Sequence, residues 1–384
     1  MKTVKRRETF YLSGYDPRGA RHYYNLYRDE SLKERRKGNR FEVGKRRRYA
    51  ENVVSWEVLF HETKTNYHFL EWDDIIRSRW EKTPLALFTD MAFVIRSYVL
   101  NGLVFRYAKV VPPLLISGFY PILYLLMTAF FSFVIAVWIY GYTQAYLTSV
   151  GAFAVALLSA YGIVVKLTQM GNRYAVFWLL RIYRFSERYA QGEDAQIDAR
   201  LEAFASFIAE RIAVSSLSET DEVLIVSHSV GTILTVPMMQ KLRRRLEAID
   251  ALPQISVLTL GECIPIVSTL PSASFYRQSM QAVSENGGIT WLDYTTPIDG
   301  ACFPLLDFYD FSGVVYETEP KPAYLSPRFH TLFSSDRYAK IRKNKYMTHF
   351  IYLMSTEFDG PYNFFLMTAG EQPLAYYYPK PKGS

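Results

Sequence analysis

The sequence predicts an α/β fold, a mostly parallel sheet with helices on both faces, interrupted by a two-helix apolar hairpin. Three observations predict it. From residue 172 onward, strand-like and helix-like segments alternate, the pattern of parallel strands joined by helical crossovers. Residues 110–165, 56 in a row, contain no Asp, Glu, Lys or Arg, whereas one bilayer crossing takes about 20 apolar residues. The stretch EVLIVSHSVGT, 222–232, runs an aliphatic strand pattern straight into a Ser-His-Ser-Val-Gly turn with a helix-like segment behind it.

In chain order, ETFYLSGYDPRG reads as a short strand entering a Gly/Asp/Pro turn, and ARHYYNLYRDESLKERR as a helix. NVVSWEVLFHE and NYHFLEW read as two more strands, and DDIIRSRWEK as a helix begun by Asp73 or Asp74. Residues 85–108 mix apolar side chains with occasional charges and suit a membrane interface. The charge-free gap then divides into spans at 114–139 and 146–165, joined by YGYTQA. Beyond it, 172–215 reads as helix interrupted at AQGEDAQ. Strands at 222–228, in QISVLTLG and in GITWLDY alternate with helices at about 231–247 and in SASFYRQSMQAVSE. A last strand is expected in PRFHTLF and a terminal helix around 347–356. These segments group as 1–84, 85–170 and 171–384, the middle group being the interfacial helix and hairpin.

The formal charge is +7, and the first 50 residues hold 16 Lys/Arg against 6 Asp/Glu. Runs such as KERRKGNR and GKRRR suit an anionic leaflet, nucleic acid or plain solvent. No nucleic-acid-binding module accompanies them, so membrane lipids are the expected partner and nucleic acid is not. Arg96, Arg106 and Lys109 precede the hairpin, Lys166, Arg173, Arg181 and Arg184 follow it, and the connecting turn is uncharged. The positive-inside rule then places both termini, and the polar segments with them, in the cytoplasm. The N-terminus lacks an apolar core of the secretory-signal kind. Cys263 and Cys302, the two cysteines, have no metal-ligand spacing and fit a reducing compartment. The sequence sets no oligomeric state.

A serine hydroxyl is a weak nucleophile at neutral pH, so it needs a base, a carboxylate orienting that base, and N–H donors for the oxyanion. In VLIVSHSVGT the strand–turn–helix setting would lift Ser229, with small residues Ser227 and Gly231 two positions to either side. This resembles the α/β-hydrolase superfamily and its Gly-His-Ser-x-Gly pattern, with Ser227 in place of the first glycine. The resemblance covers roughly 8–80 and 172–356 and implies an esterase- or lipase-like serine hydrolase with the triad in the order Ser, acid, His. His349, past the last expected strand, then takes the place of the base, with His330 the other downstream histidine. Asp299, after TTPI, is the first choice of acid, Asp293 at a strand end the second, and Glu262 the third. His228 is expected to point away from the site. Val230 supplies one oxyanion N–H. The turn YLSGYDPRG supplies the other from Tyr15, unless it is an ordinary Asp-Pro turn. The substrate class implied is an ester or thioester, of a lipid or acyl chain in view of the hairpin, with no metal or organic cofactor. The alternative is an inactive hydrolase-fold scaffold or binding protein on the membrane, which Ser227 favours.

Overall fold

The computed structural model describes residues 3–80, 83–192, 194–214, 221–248, 255–285 and 287–379. The chain forms two units, Met1–Ser78 with Tyr189–Ser384, and Arg79–Arg188.

In the first unit the described residues form one nine-stranded mixed sheet. Its strands are β1 (Arg6–Leu12), β2 (Glu42–Val43), β3 (Arg47–Ala50), β4 (Val53–Phe60), β5 (Thr63–Leu70), β6 (Glu222–His228), β7 (Ile255–Leu260), β8 (Thr290–Tyr294) and β9 (Ala323–Leu325). They lie in the order β2-β4-β5-β1-β6-β7-β8-β9, with β3 also on β4. From β5 to β9 every pair is parallel; β2, β3 and β4 are antiparallel to their neighbours.

Composition explains the division. Every residue of β6, β7 and β8 is buried, as in a parallel sheet covered on both faces, and the Val, Leu and Ile content of β6 and β7 suits that burial. β4 and β5 instead form a tight hairpin pairing Phe60 with Thr63, its corner made by His61 at φ 50°. Their aromatic face stacks Trp56 on Tyr67, ring centres 4.7 Å apart, while Ser55, Glu57, Asn66 and His68 point to the other face. The strands at the margin, β2 and β3, are short and β3 carries Arg47 and Arg48; brevity and charge discourage pairing with other chains.

The strand expected in PRFHTLF does not form. β9 lies earlier, and Phe329–Leu332 is a single helical turn. Pro327 has no N–H to give a ladder, and Arg328 sits at φ 50°, so the chain leaves the extended region there. The terminal helix is also shorter than expected, Lys345–Phe350 followed by a tight turn at Ile351–Leu353.

Both ends of the first unit meet at one buried cation. Arg7 Nε donates to Glu222 at 2.6 Å, and its terminal nitrogens donate to the carbonyls of Gly370 and Gln372 at 2.7 Å. With its donors so distributed, a guanidinium is tolerated in the interior.

In the second unit Pro112–Thr143 (32 residues) and Ser149–Arg173 (25 residues) are long and apolar enough to cross a membrane. At 1.5 Å per residue they reach about 48 and about 38 Å, against a hydrocarbon core of about 30 Å. The first extends beyond the expected span of 114–139 at both ends; the second starts later than the expected 146 and runs past 165 to Arg173. Thr148 starts the second by accepting the Gly151 N–H, and its buried positions are Ala152, Ala156, Thr168 and Gly171, small residues that let helices approach closely. Phe130, Phe133, Trp138, Leu157 and Leu158 are exposed, as lipid-facing side chains would be. Residues 85–108, expected at the interface, do not form one helix: Pro84–Leu100 and Leu103–Val110 meet at 68°, with Gly102 at φ 72° in the bend.

Candidate active site

At the end of β6 the chain turns sharply into the helix Val230–Ala248. Ser229 makes the turn at φ 56°, a left-handed conformation that costs a non-glycine residue about 1 kcal/mol or more. The conformation is held from both sides. Ser229 N donates to Leu260 O on β7 at 2.9 Å, and the backbone and hydroxyl of Thr232 donate to Ser229 O at 2.9 and 2.7 Å. Gly231 is required sterically, because a Cβ there would lie 2.4 Å from Leu12 O and 2.7 Å from Ser13 O. Ser227 fits its place: it is buried in β6, and its Oγ has no hydrogen-bond partner among the described residues.

The loop after β1 lies directly against this serine. A Cβ on Gly14 would sit 2.9 Å from Ser229 Cβ and 3.3 Å from Ser229 Oγ. The loop is pinned by Trp72 Nε1, which donates to Ser13 O at 3.0 Å, and by the Tyr15 ring packed edge-on against Trp72. Asp16 accepts from Arg18 Nε at 2.8 Å and from Tyr23 at 3.0 Å. Burial works against the Asp16 charge, but the Arg18 guanidinium outweighs it and keeps the carboxyl ionised.

From the C-terminal side, His349 Nδ1 donates to Asp299, 3.1 Å from each carboxylate oxygen. Asp299 Oδ1 also accepts the Ala301 N–H at 3.0 Å. Burial alone would raise the Asp299 pKa; the adjacent imidazole and these hydrogen bonds reverse the sign and hold it below the ordinary range. An ionised carboxylate on Nδ1 leaves Nε2 as the basic nitrogen of a neutral ring. Gly261, at φ 57°, keeps space for the pair, since a Cβ would come within 3.1 Å of Asp299 Oδ2.

Comparison with family models, curated proteins and solved structures finds no match for this chain. Its chemistry has to be read from the residues themselves.

The structure thus gathers Ser229, Val230 and the Gly14–Tyr15 loop at the sheet's C-terminal edge, and joins His349 to Asp299. The other two acids are engaged elsewhere. Asp293, on β8, accepts from the Thr259 hydroxyl at 2.6 Å. Glu262 accepts the Ile264 N–H at 2.9 Å. Burial raises both pKa values, and for Glu262 the neighbouring Asp293 adds to the effect. Neutral carboxyls cannot stabilise an imidazolium as Asp299 can. His330 is exposed on its helical turn.

One expectation is overturned. His228 does not point away: its ring lies 4.8 Å from that of His349, and its Nε2 donates to His349 O at 2.8 Å. The terminal helix covers the end of β6 and encloses His228 beneath it. Burial, then the His349 ring, lower its pKa to about 3, so it stays neutral and anchors the backbone of His349. Cys263 was also unforeseen at the site. Its Sγ is 4.0 Å from Ser229 Oγ and donates to Ala301 O at 3.2 Å. Burial keeps the thiol protonated, which makes it a wall of the site and a poor nucleophile. No sequence spacing marks Cys263, and the motif that contains His228 does not fix its orientation; both follow from strand ends adjacent only in the folded sheet.

Proposed function

We propose that this chain is a membrane-anchored serine hydrolase with an α/β-hydrolase-like fold, cleaving an ester or thioester. In this reading Ser229 Oγ attacks the acyl carbon while His349 takes its proton, and His349 returns that proton to the leaving group. Asp299 stabilises the imidazolium, and the N–H groups of Val230 and Tyr15 receive the oxyanion. Water, deprotonated by His349, then releases the acyl group from Ser229. The observation that carries the reading is the left-handed Ser229 between β6 and its helix, with Gly14 backed against its side chain. A left-handed serine at a strand-to-helix turn is the backbone arrangement that a nucleophile elbow requires. Two apolar helices long enough to span a bilayer support a lipid or acyl-chain substrate, since such molecules concentrate at membranes.

A second reading is a hydrolase-like scaffold on the membrane. It is favoured by the burial of Ser229, which is only 2% exposed, so that catalysis requires the covering segments to open. A fluorophosphonate probe separates the two. The enzyme predicts labelling of the folded protein that vanishes in Ser229→Ala and persists in Ser227→Ala. Folded, detergent-solubilised protein that never labels supports the scaffold.

A further inference from the structure

The polar face of the β4–β5 hairpin carries a second relay of hydroxyl, imidazole and carboxylate, apart from Ser229. Ser55 Oγ lies 2.6 Å from His68 Nδ1, and His68 Nε2 lies 2.8 Å from Glu8 Oε2 on β1. All three side chains are buried. Glu8 is fixed in turn by Asn66 Nδ2 at 2.6 Å and by Arg211 at 3.0 Å. The His68 ring is clamped between Phe10 (5.0 Å), Phe207 (5.3 Å) and Tyr49 (5.5 Å). Ser55 and His68 form the floor of a cavity of about 340 Å³ whose rim includes Lys45, Arg46 and Arg47.

The charge balance of this cavity is one-sided. The carboxylate in its wall, Glu57, is paired with Lys64 at 2.5 Å, and Glu8 is matched by Arg211. Among the described residues no carboxylate lies within ion-pair distance of Lys45, Arg46 or Arg47. Three cations around a cavity with a hydroxyl floor match a multiply charged oxyanion, and the volume leaves room for an organic group attached to it.

We propose that this cavity binds a phosphate monoester dianion, with Lys45, Arg46 and Arg47 supplying the charge and Ser55 donating a hydrogen bond that protonation of His68 makes available. The relay dictates the coupling. With His68 neutral, Nε2–H donates to Glu8 and Nδ1 accepts the Ser55 hydroxyl, so Ser55 has no proton to offer the cavity. When Nδ1 takes a proton from water, it donates to Ser55 Oγ, and the Ser55 hydroxyl turns its own proton toward the anion. The groups facing His68 are Glu8 from β1, Arg47 and Tyr49 from β3, Ser55 from β4, Asn66 from its own strand and Arg211 from the helix Ala195–Val214. Burial, Arg211 and Arg47 disfavour the protonated ring and Glu8 favours it, with the net shift downward. An anion in the cavity opposes the cations, so binding takes up a proton and tightens as pH falls.

The test is calorimetric titration of the full chain in phosphatidylcholine discs, with glycerol 3-phosphate as the phosphate monoester and sulfate as a dianion that does not itself titrate. Saturable binding of both is expected, weakened about tenfold or more in Arg46→Ala/Arg47→Ala. Both arginines are exposed, so the variant keeps the fold. Sulfate binding should strengthen from about pH 8 to about pH 5.5, and His68→Asn should remove that slope. Repeating the titration in discs containing phosphatidate identifies the source: displaced glycerol 3-phosphate assigns the site to a lipid headgroup, and undisturbed binding assigns it to a soluble phosphate. Absence of saturable binding by either anion, binding indifferent to the two arginines, or a sulfate affinity flat with pH in the wild type overturns the proposal.

Discussion

At the scale of single residues, three carboxyl groups near the end of the sheet are told apart by what surrounds them. Asp299 is ionised against His349, whereas Asp293 and Glu262 are pushed by burial toward the neutral form. Asp299→Asn should therefore lower kcat toward a hydrolysable ester on the order of a thousandfold while the protein stays folded. Asp293→Asn should leave kcat within a few fold, which steady-state kinetics on the two variants would check. Asp293 has a separate signature in stability. Its folded-state pKa lies above the unfolded value of about 3.9, so the folded form holds a proton that the unfolded form has released. Stability contributed in this way is full below that value and declines as pH rises through neutrality. Denaturant unfolding should show the wild type losing stability between about pH 5 and about pH 8, with a smaller loss in Asp293→Asn. The sequence displayed Ser229, Asp299 and His349 through a motif and a chain order. It misdirected the reading of His228 and gave Cys263 no place at the site, because both depend on how the terminal helix and the loop after β7 fold over the strand ends.

At the scale of elements, the buried strands were legible because parallel strands covered on both faces are rich in aliphatic residues, as VLIV at 223–226 and the Ile, Val and Leu positions of QISVLTLG are. β9 was not, being three residues long and only partly buried; nothing in so short a segment outweighs an adjacent run of aromatic and β-branched residues such as PRFHTLF. The turn at Ser229 is the element most sensitive to a single atom. Gly231→Ala forces a methyl group into Leu12 O and should destabilise the protein by about 1–3 kcal/mol. Gly287→Ala, whose Cβ would meet only Thr318 at 3.9 Å, should be close to neutral. Thermal unfolding of the pair makes the comparison.

For the whole molecule, the two-unit organisation makes separate predictions about anchorage and cohesion. The uncharged turn between the long helices should lie on the opposite side of the bilayer from the basic first 50 residues. Cys263 and Cys302 are buried, so a single cysteine introduced at Gln144 reports cleanly. An impermeant maleimide should label it on intact vesicles that carry the rest of the chain inside; protection there reverses the orientation. Arg7 ties β1 to Glu222 on β6 and to the carbonyls of Gly370 and Gln372 near the C-terminus, and Arg7→Ala leaves the buried Glu222 without its ion-pair partner. The expected cost is about 3–5 kcal/mol, read as a loss of unfolding midpoint under denaturant.

Sheet order also has a consequence for synthesis. β1 is flanked by β5 on one side and by β6 on the other, with Arg7 opposite Glu222, and the apolar unit is translated between them. At about 5–20 residues per second a ribosome takes on the order of 10–40 s to travel from β1 to the end of β6. Throughout that interval the edge of β1 that pairs with β6 in the finished sheet lacks its partner. Such an edge recruits other strands, so overexpression without ample chaperone should yield aggregates seeded by the N-terminal fragment.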